Sequence, residues 1–176
     1  MIGEDIPFEL ALTKSQYTSD SFDDEILIAD SGYGQGQILM NPVQMTSIYS
    51  SFMNDGKMMT PHVVKSTETS VWAEPFSKET TDEIKSDLIQ VVEDNNGTAH
   101  ALNNSQYQLA AKTGTGEIKD SQDDTTGTEL GWLSVASTDS SKPIVITTMV
   151  EDVKGRGGSN YVVNGVKQPL MSYLQK

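Results

Sequence analysis

Apolar residues are spaced for helices in three parts of this chain and for strands in four others. In NPVQMTSIYSSFMNDGK (41–57), Met45, Ile48, Tyr49, Phe52 and Met53 form a stripe at helical spacing. Asn41 suits the N-cap, Pro42 the first helical position and Gln44 a capping box, and Gly56 supplies the stop. The pattern predicts a well-buried helix. In SKETTDEIKSDLIQVVEDNNG (77–97), Ile84, Leu88, Val91 and Val92 repeat at i, i+4, i+7 and i+8, and Gly97 ends the element. NYVVNGVKQPLMSYLQK (160–176) closes the chain as a third helix, against the grain of Gly165 and Pro169. HVVKSTE (62–68) reads as a short strand. YQLAAKTGTGE, ELGWLSVAST and KPIVITTMVED read as three more, joined by the turns DSQDDTTGT and TDSSK. The order is helix, strand, helix, three strands, helix. Short turns between the last three strands favour an antiparallel meander with helices on its faces, an α+β architecture.

Residues 1–25 are polar and irregular, and SQYTSDSFDDE reads as loop. The apolar run ILIAD then meets Gly32, Gly34 and Gly36. That invites a dinucleotide-binding reading, but the spacing is G-x-G-x-G rather than G-x-G-x-x-G, and no βαβ unit follows. A tight loop shaping a pocket edge or packing junction fits better. GRGG (155–158) is a second glycine loop.

Composition narrows the function. The 176 residues fit one domain with a real core. A net charge of -13, from 25 acidic against 12 basic residues, argues against nucleic acid or an anionic membrane surface as partner. With no cysteine, thiol chemistry, disulfides and cysteine-ligated metals are excluded. His62 and His100 lack metal-site spacing and read as surface or capping residues, so no metal or cofactor is expected. Trp132 reads as a core residue. No apolar run is long enough to span a membrane and no signal peptide opens the chain, so any anchor or export signal is expected upstream.

AAKTGTGEIK (110–119) carries the candidate chemistry. On a strand, Thr113 and Thr115 point the same way, with hydroxyls about 7 Å apart. Gly114 between them removes bulk, so an extended peptide has room to pair with the backbone and the hydroxyls to hold a terminal carboxylate. Lys112, on the opposite side of the pleat, can curl towards a pocket floor and lend positive potential to a carboxylate or lower the pKa of a nearby hydroxyl. The alternative reading is a strand edge with a solvated lysine.

Order and spacing across roughly residues 30–174 resemble the penicillin-binding transpeptidases. SGYGQGQILMNPVQMTSIYSSFMNDGKMMTPHVVKS resembles the segment in which a G-x-G-Q loop leads into a T/N-P-x-Q-M helix, an N-D/G-G stop and an x-x-P-x-x-V strand. A G-T-A turn (Gly97-Thr98-Ala99), the K-T-G-T strand (Lys112 to Thr115), a G-W strand (Gly131-Trp132), an apolar strand and a closing helix follow in the family's order. K-T-G is a known motif of these proteins and of class A β-lactamases. The closest likeness is to class B, monofunctional peptidoglycan transpeptidases of Gram-positive type, including the low-affinity enzymes of antibiotic resistance. Gly116 departs from the alanine the family often has there.

The resemblance implies a partial penicillin-binding/serine β-lactamase-like fold, with an antiparallel sheet of at least three strands flanked by helices. Residues 1–29 would be an irregular lead-in, and 30–176 the C-terminal part of one transpeptidase domain. It further implies peptidoglycan synthesis at the extracellular face of the bacterial membrane. A serine attacks the D-Ala-D-Ala end of a stem peptide and passes the acyl group to an amine; β-lactams are acylating mimics. Carried over, Thr113 and Thr115 bind the substrate carboxylate, the Thr115 N–H is an oxyanion-hole donor, Lys112 supports the proton relay, and Gly114 admits the acyl donor. The family's nucleophile motif S-x-x-K and its S-x-N motif are missing: no serine here has lysine three places later or asparagine two places later. In the family both precede the G-x-G-Q loop. The expectation is a site wall without a nucleophile, inactive alone. Its partner would be the upstream half of the domain, and Ile144 to Val150 would form an apolar edge prone to self-association. Two other readings stay open: a non-catalytic module binding peptides or a partner, and a fragment of a serine β-lactamase or β-lactam sensor.

Overall fold

The structure, a computed structural model, describes residues 2–17, 25–65, 68–119 and 123–176. Most of SQYTSDSFDDE and the start of DSQDDTTGT lie outside the described residues. Among the described residues ten elements follow one another: α1 (Glu25–Ser31), α2 (Pro42–Phe52), β1 (Met58–Met59), β2 (Val71–Ala73), α3 (Lys78–Glu93), a 3-10 turn at His100–Leu102, β3 (Leu109–Ile118), β4 (Thr128–Ser137), β5 (Val145–Val150) and α4 (Ser159–Leu174).

The last three strands form the expected antiparallel meander, in the order β3-β4-β5. Register runs Lys112 opposite Ser134, Gly114 opposite Trp132 and Thr115 opposite Gly131, with Trp132 opposite Met149 on the far side. Alternation sends Leu109, Ala111, Leu133 and Val135 to one face. There they meet Val92 of α3 and the α4 stripe Val162, Val163, Val166, Leu170 and Leu174, all buried, to make the main core. Helix α2 packs on the opposite face, against β4 and β5.

The Asn41 N-cap acts as read, but the capping box with Gln44 does not form, because the Asn41 N–H donates to Ser15 Oγ at 2.9 Å. Asn41 Oδ1 accepts the Val43 N–H at 2.8 Å and Ser77 Oγ accepts the Thr80 N–H at 3.2 Å, each taking up a first-turn amide that no helical carbonyl can reach. Helix α4 runs unbroken through Gly165 and Pro169. Both lie on its exposed face, so the missing N–H falls away from the apolar stripe, and Gly165, four residues before the proline, gives the backbone latitude where the ring crowds it.

Three expectations change. The run ILIAD, most of it inside the stretch expected as an irregular lead-in, is the body of α1, so the glycine loop follows a helix. The described residues of HVVKSTE, 62–65 and 68, are not in a strand; they lie in the connection between β1 and β2, with Val63 and Val64 68% and 53% exposed, and Ser66 and Thr67 lie outside the described residues. The Glu9 carboxylate takes the Val63 N–H at 3.1 Å and that of Val64 at 3.5 Å, supplying the acceptors a strand partner would have offered. Finally, the buried face of α2 is Gln44, Ser47 and Ser51, while the apolar stripe is half-buried. The two serines can be buried because they satisfy their hydroxyls on the helix's own carbonyls: Ser47 on Val43 at 3.0 Å, Ser51 on Ile48 at 2.6 Å.

Candidate active site

Strand β3 pairs with β4 alone and leaves its other edge free of strands among the described residues. In an antiparallel ladder each residue turns its N–H and C=O to the same edge, alternately towards and away from its partner. The Thr113 and Thr115 carbonyls accept side-chain donors from outside the sheet, Lys112 Nζ at 2.7 Å and Gln35 Nε2 at 3.1 Å. The Thr113 and Thr115 N–H groups therefore also point out of the free edge, where an extended peptide has room to pair with them.

Side chains divide between the faces. Lys112, Gly114 and Gly116 lie on the α2 side, Thr113 and Thr115 on the α4 side. Lys112 is exposed and lines a cavity of about 810 Å³ bounded by the Tyr33–Gly36 loop, Met45 and Tyr49 of α2, and Trp132. Among the described lining residues Lys112 is the single cation and Glu117 the single carboxylate. A Cβ on Gly114 would meet only the Trp132 Cβ, at an ordinary 3.5 Å, so this stretch of wall is open.

The two threonines differ. Thr113 is buried, and its hydroxyl shares a 2.7 Å hydrogen bond with Thr98 of the Gly97-Thr98-Ala99 turn. Thr115 is exposed, and its Oγ1 accepts the Ser159 N–H at 3.3 Å, from the first turn of α4. Thr98 and Ser159 thus hold the motif's hydroxyls in place. Neither stood out in the sequence beyond its motif or helix, because each acts through a contact across the fold.

The loop before α2 supplies the opposite lip. Successive amides wind onto the end of α1, Gly34 N–H to Ser31 at 3.2 Å and Gln35 N–H to Asp30 at 3.0 Å. Gly34 and Gly36 have φ of +86° and +67°, the left-handed region that favours glycine, and between them they turn Gln35 towards β3. The Tyr33 hydroxyl donates to Asp30. That bond, desolvation and the charges of Asp30 and Glu117 raise the Tyr33 phenol above its ordinary value. Burial raises Tyr49. Both phenols are therefore neutral donors near neutral pH.

No serine among the described residues is presented as a nucleophile here. Ser134 stands opposite Lys112 and lines the cavity, but it is 4% exposed and its hydroxyl is bonded to Thr147 at 3.0 Å. Lys112 Nζ is held on the Thr113 carbonyl. The arrangement is a binding wall: an edge of outward amides, an open glycine, two hydroxyls and one cation.

An antiparallel sheet with helices on both faces and a K-T-G-T edge strand beside a cavity is the architecture expected of a penicillin-binding transpeptidase domain. The chain belongs to the penicillin-binding protein transpeptidase family: the family described as "Penicillin binding protein transpeptidase domain" matches residues 1–172. It is 38% identical over 173 residues to "Penicillin-binding protein 3" of Bacillus subtilis (strain 168), covering 97% of this chain and 26% of that protein. The chain thus spans about a quarter of its curated relative's length. Among solved structures it resembles PBPA from Mycobacterium tuberculosis, with a TM-score of 0.74 and 15% identity over 95% of this chain and 39% of that one, a likeness of fold.

Proposed function

We propose that this chain is the C-terminal part of the transpeptidase domain of a cell-wall enzyme working outside the cytoplasm. It cross-links peptidoglycan stem peptides and is acylated by β-lactams when complete. The observation that carries this reading is the free edge of β3, with the Thr115 N–H turned outwards beside Lys112 and the cavity. In the reaction a serine oxygen, supplied upstream, adds to the carbonyl of the penultimate D-Ala. The Thr115 N–H donates to the oxyanion, D-Ala leaves with the proton, and an amine on a neighbouring strand then takes the acyl group from the ester. Thr113 and Thr115 hold the substrate carboxylate, Gly114 gives the peptide room, and Lys112 supplies positive potential and supports the proton relay. The upstream half of the domain is the expected partner.

Fluorescent penicillin tests this directly. The isolated chain should form no covalent adduct by denaturing gel or intact mass, whereas the full-length protein should gain one penicilloyl group. An adduct on the isolated chain, or none on the full-length protein, overturns the reading. A peptide-binding module without catalysis is the second possibility, favoured by the edge being open with no activated serine among the described residues. Reversible binding of a D-Ala-D-Ala peptide by the isolated chain would support it.

A further inference from the structure

Gln35 occupies the edge of β3 in a way no other lining residue does. Its Nε2 donates to the Thr115 carbonyl at 3.1 Å, and its Oε1 accepts the Glu117 N–H at 3.3 Å. One amide therefore bridges the C=O of one residue and the N–H of the residue two further on. A residue of a parallel strand lying beside Gly116 would make the same pair of bonds. The side-chain amide stands in for one residue of a neighbouring strand.

Thr115 needs such an anchor. It lies between Gly114 and Gly116 on an edge strand, and a Cβ on Gly116 would meet nothing within 4 Å. Two permissive residues with open surroundings leave the flanking peptide planes free to rotate. The Thr113 carbonyl, just before Gly114, is tied by Lys112, and the Thr115 carbonyl, just before Gly116, by Gln35. Gln35 is itself half-buried and set by the two left-handed glycines and the Asp30 carbonyl at the end of α1. The anchor thus comes from a segment 80 residues earlier in the chain.

We propose that Gln35 is a positioning residue: it orients the Thr115 segment so that its N–H meets the acyl carbonyl, and it closes the pairing edge at Gly116, confining an extended acyl donor to the Lys112–Thr115 side. This rests on the transpeptidase reading above. The test uses Gln35→Ala and Gln35→Glu in the full-length protein, with two readouts: hydrogen exchange at the Glu117 amide, and the acylation constant for fluorescent penicillin separated from its noncovalent binding constant. Alanine removes both bonds; glutamate keeps the acceptor for the Glu117 N–H but loses the donor to Thr115. Exchange at Glu117 should rise in Gln35→Ala and hold in Gln35→Glu, while acylation falls about tenfold in both, the scale of one or two lost hydrogen bonds. A merely structural role would lower the folded fraction without changing the acylation constant of the folded enzyme. Unchanged exchange at Glu117 in Gln35→Ala, or acylation within about twofold of wild type, overturns the proposal. If wild-type protein is not acylated, the transpeptidase reading fails instead, and the exchange measurement still decides whether Gln35 holds the edge.

Discussion

Gly131→Ala should destabilise the fold from directly behind the candidate site. Gly131 sits opposite Thr115 on β4 and faces α4. A Cβ there would lie 2.7 Å from Val162 Cγ2 and 3.0 and 3.2 Å from the two Val153 methyls. Val162 is 2% exposed and Val153 fully buried, so neither can swing into solvent. Both are β-branched and stiff at χ1, and Val162 is held further by its helix. The clash is therefore relieved by moving α4 away from the sheet. Overpacking of this kind costs about 1–3 kcal/mol. For a chain of this size that corresponds to a Tm fall of about 2–12 °C, at roughly 2–4 °C per kcal/mol. Thermal unfolding followed by far-ultraviolet circular dichroism reads the shift. Val162→Ala supplies the internal control. Alone it costs stability by leaving a cavity; combined with Gly131→Ala it removes the atom at 2.7 Å. The double variant should be more stable than the sum of the single losses by about 1 kcal/mol or more. A Gly131→Ala variant within about 0.5 kcal/mol of wild type, or strictly additive losses, would refute close approach of α4 as the reason for glycine here.

Two further predictions concern acid and the outer edge. The Glu9 carboxyl is raised by desolvation, but hydrogen bonds from its own amide, Val63 and Val64, with the charge of His62, bring it to a net value below the ordinary range. Asp55 is lowered by the Lys78 hydrogen bond and charge. Groups lowered in the fold bind fewer protons there than in the unfolded chain, so their stabilisation is complete above about pH 4 and is lost as pH falls through the lowered folded values. Urea midpoints should decline over that range, and less steeply in Glu9→Gln; an identical slope in the variant would remove Glu9 from the account. At the edge, the Ser137 N–H donates to the Ile144 carbonyl at 3.0 Å, so Ile144, Ile146 and Thr148 turn their amides towards β4 and Val145, Thr147 and Met149 turn theirs outwards. We propose self-association of the isolated chain through this edge. Sedimentation should show concentration-dependent association that Val145→Lys abolishes, and a wild-type chain that stays monomeric throughout counts against it.

The sequence was most legible where a local period decides the element. The meander from β3 to β5 follows from alternation and turns, and α3 from its spacing, because each strand or helix carries its own pattern. Misreadings came where the deciding partner is remote. Val63 and Val64 have strand propensity, but the amides around them are taken by Glu9, a residue 54 and 55 positions away, and the loop form follows. Helix α2 was read correctly as a helix and wrongly as buried along its apolar stripe. Hydropathy cannot anticipate that Ser47 and Ser51 will be buried, since their hydroxyls are satisfied inside the helix. Gln35 was visible only as one letter of a G-x-G-Q loop; its use depends on the distance to an edge strand that lies far along the chain.

The hydroxyls of the K-T-G-T strand show how much the surroundings decide. A hydroxyl carries one proton and two lone pairs. Thr115 Oγ1 accepts from the Ser159 N–H, which leaves its own proton to give away. Thr113 and Thr98 share one hydrogen bond, and either can be its donor. When Thr113 donates, its proton is spent on Thr98; when Thr98 donates, the Thr113 proton is released. In the proposed transpeptidase an arriving carboxylate selects the second arrangement, because only then do both threonines donate to it. Thr98 thereby lets a buried hydroxyl keep a partner in the empty site and change its role when the site fills, so the Thr113 group need not be left unsatisfied in either state. The chemistry suggested by four letters of sequence therefore depends on a turn 15 residues upstream of Thr113 and on the first turn of α4, 44 residues beyond Thr115.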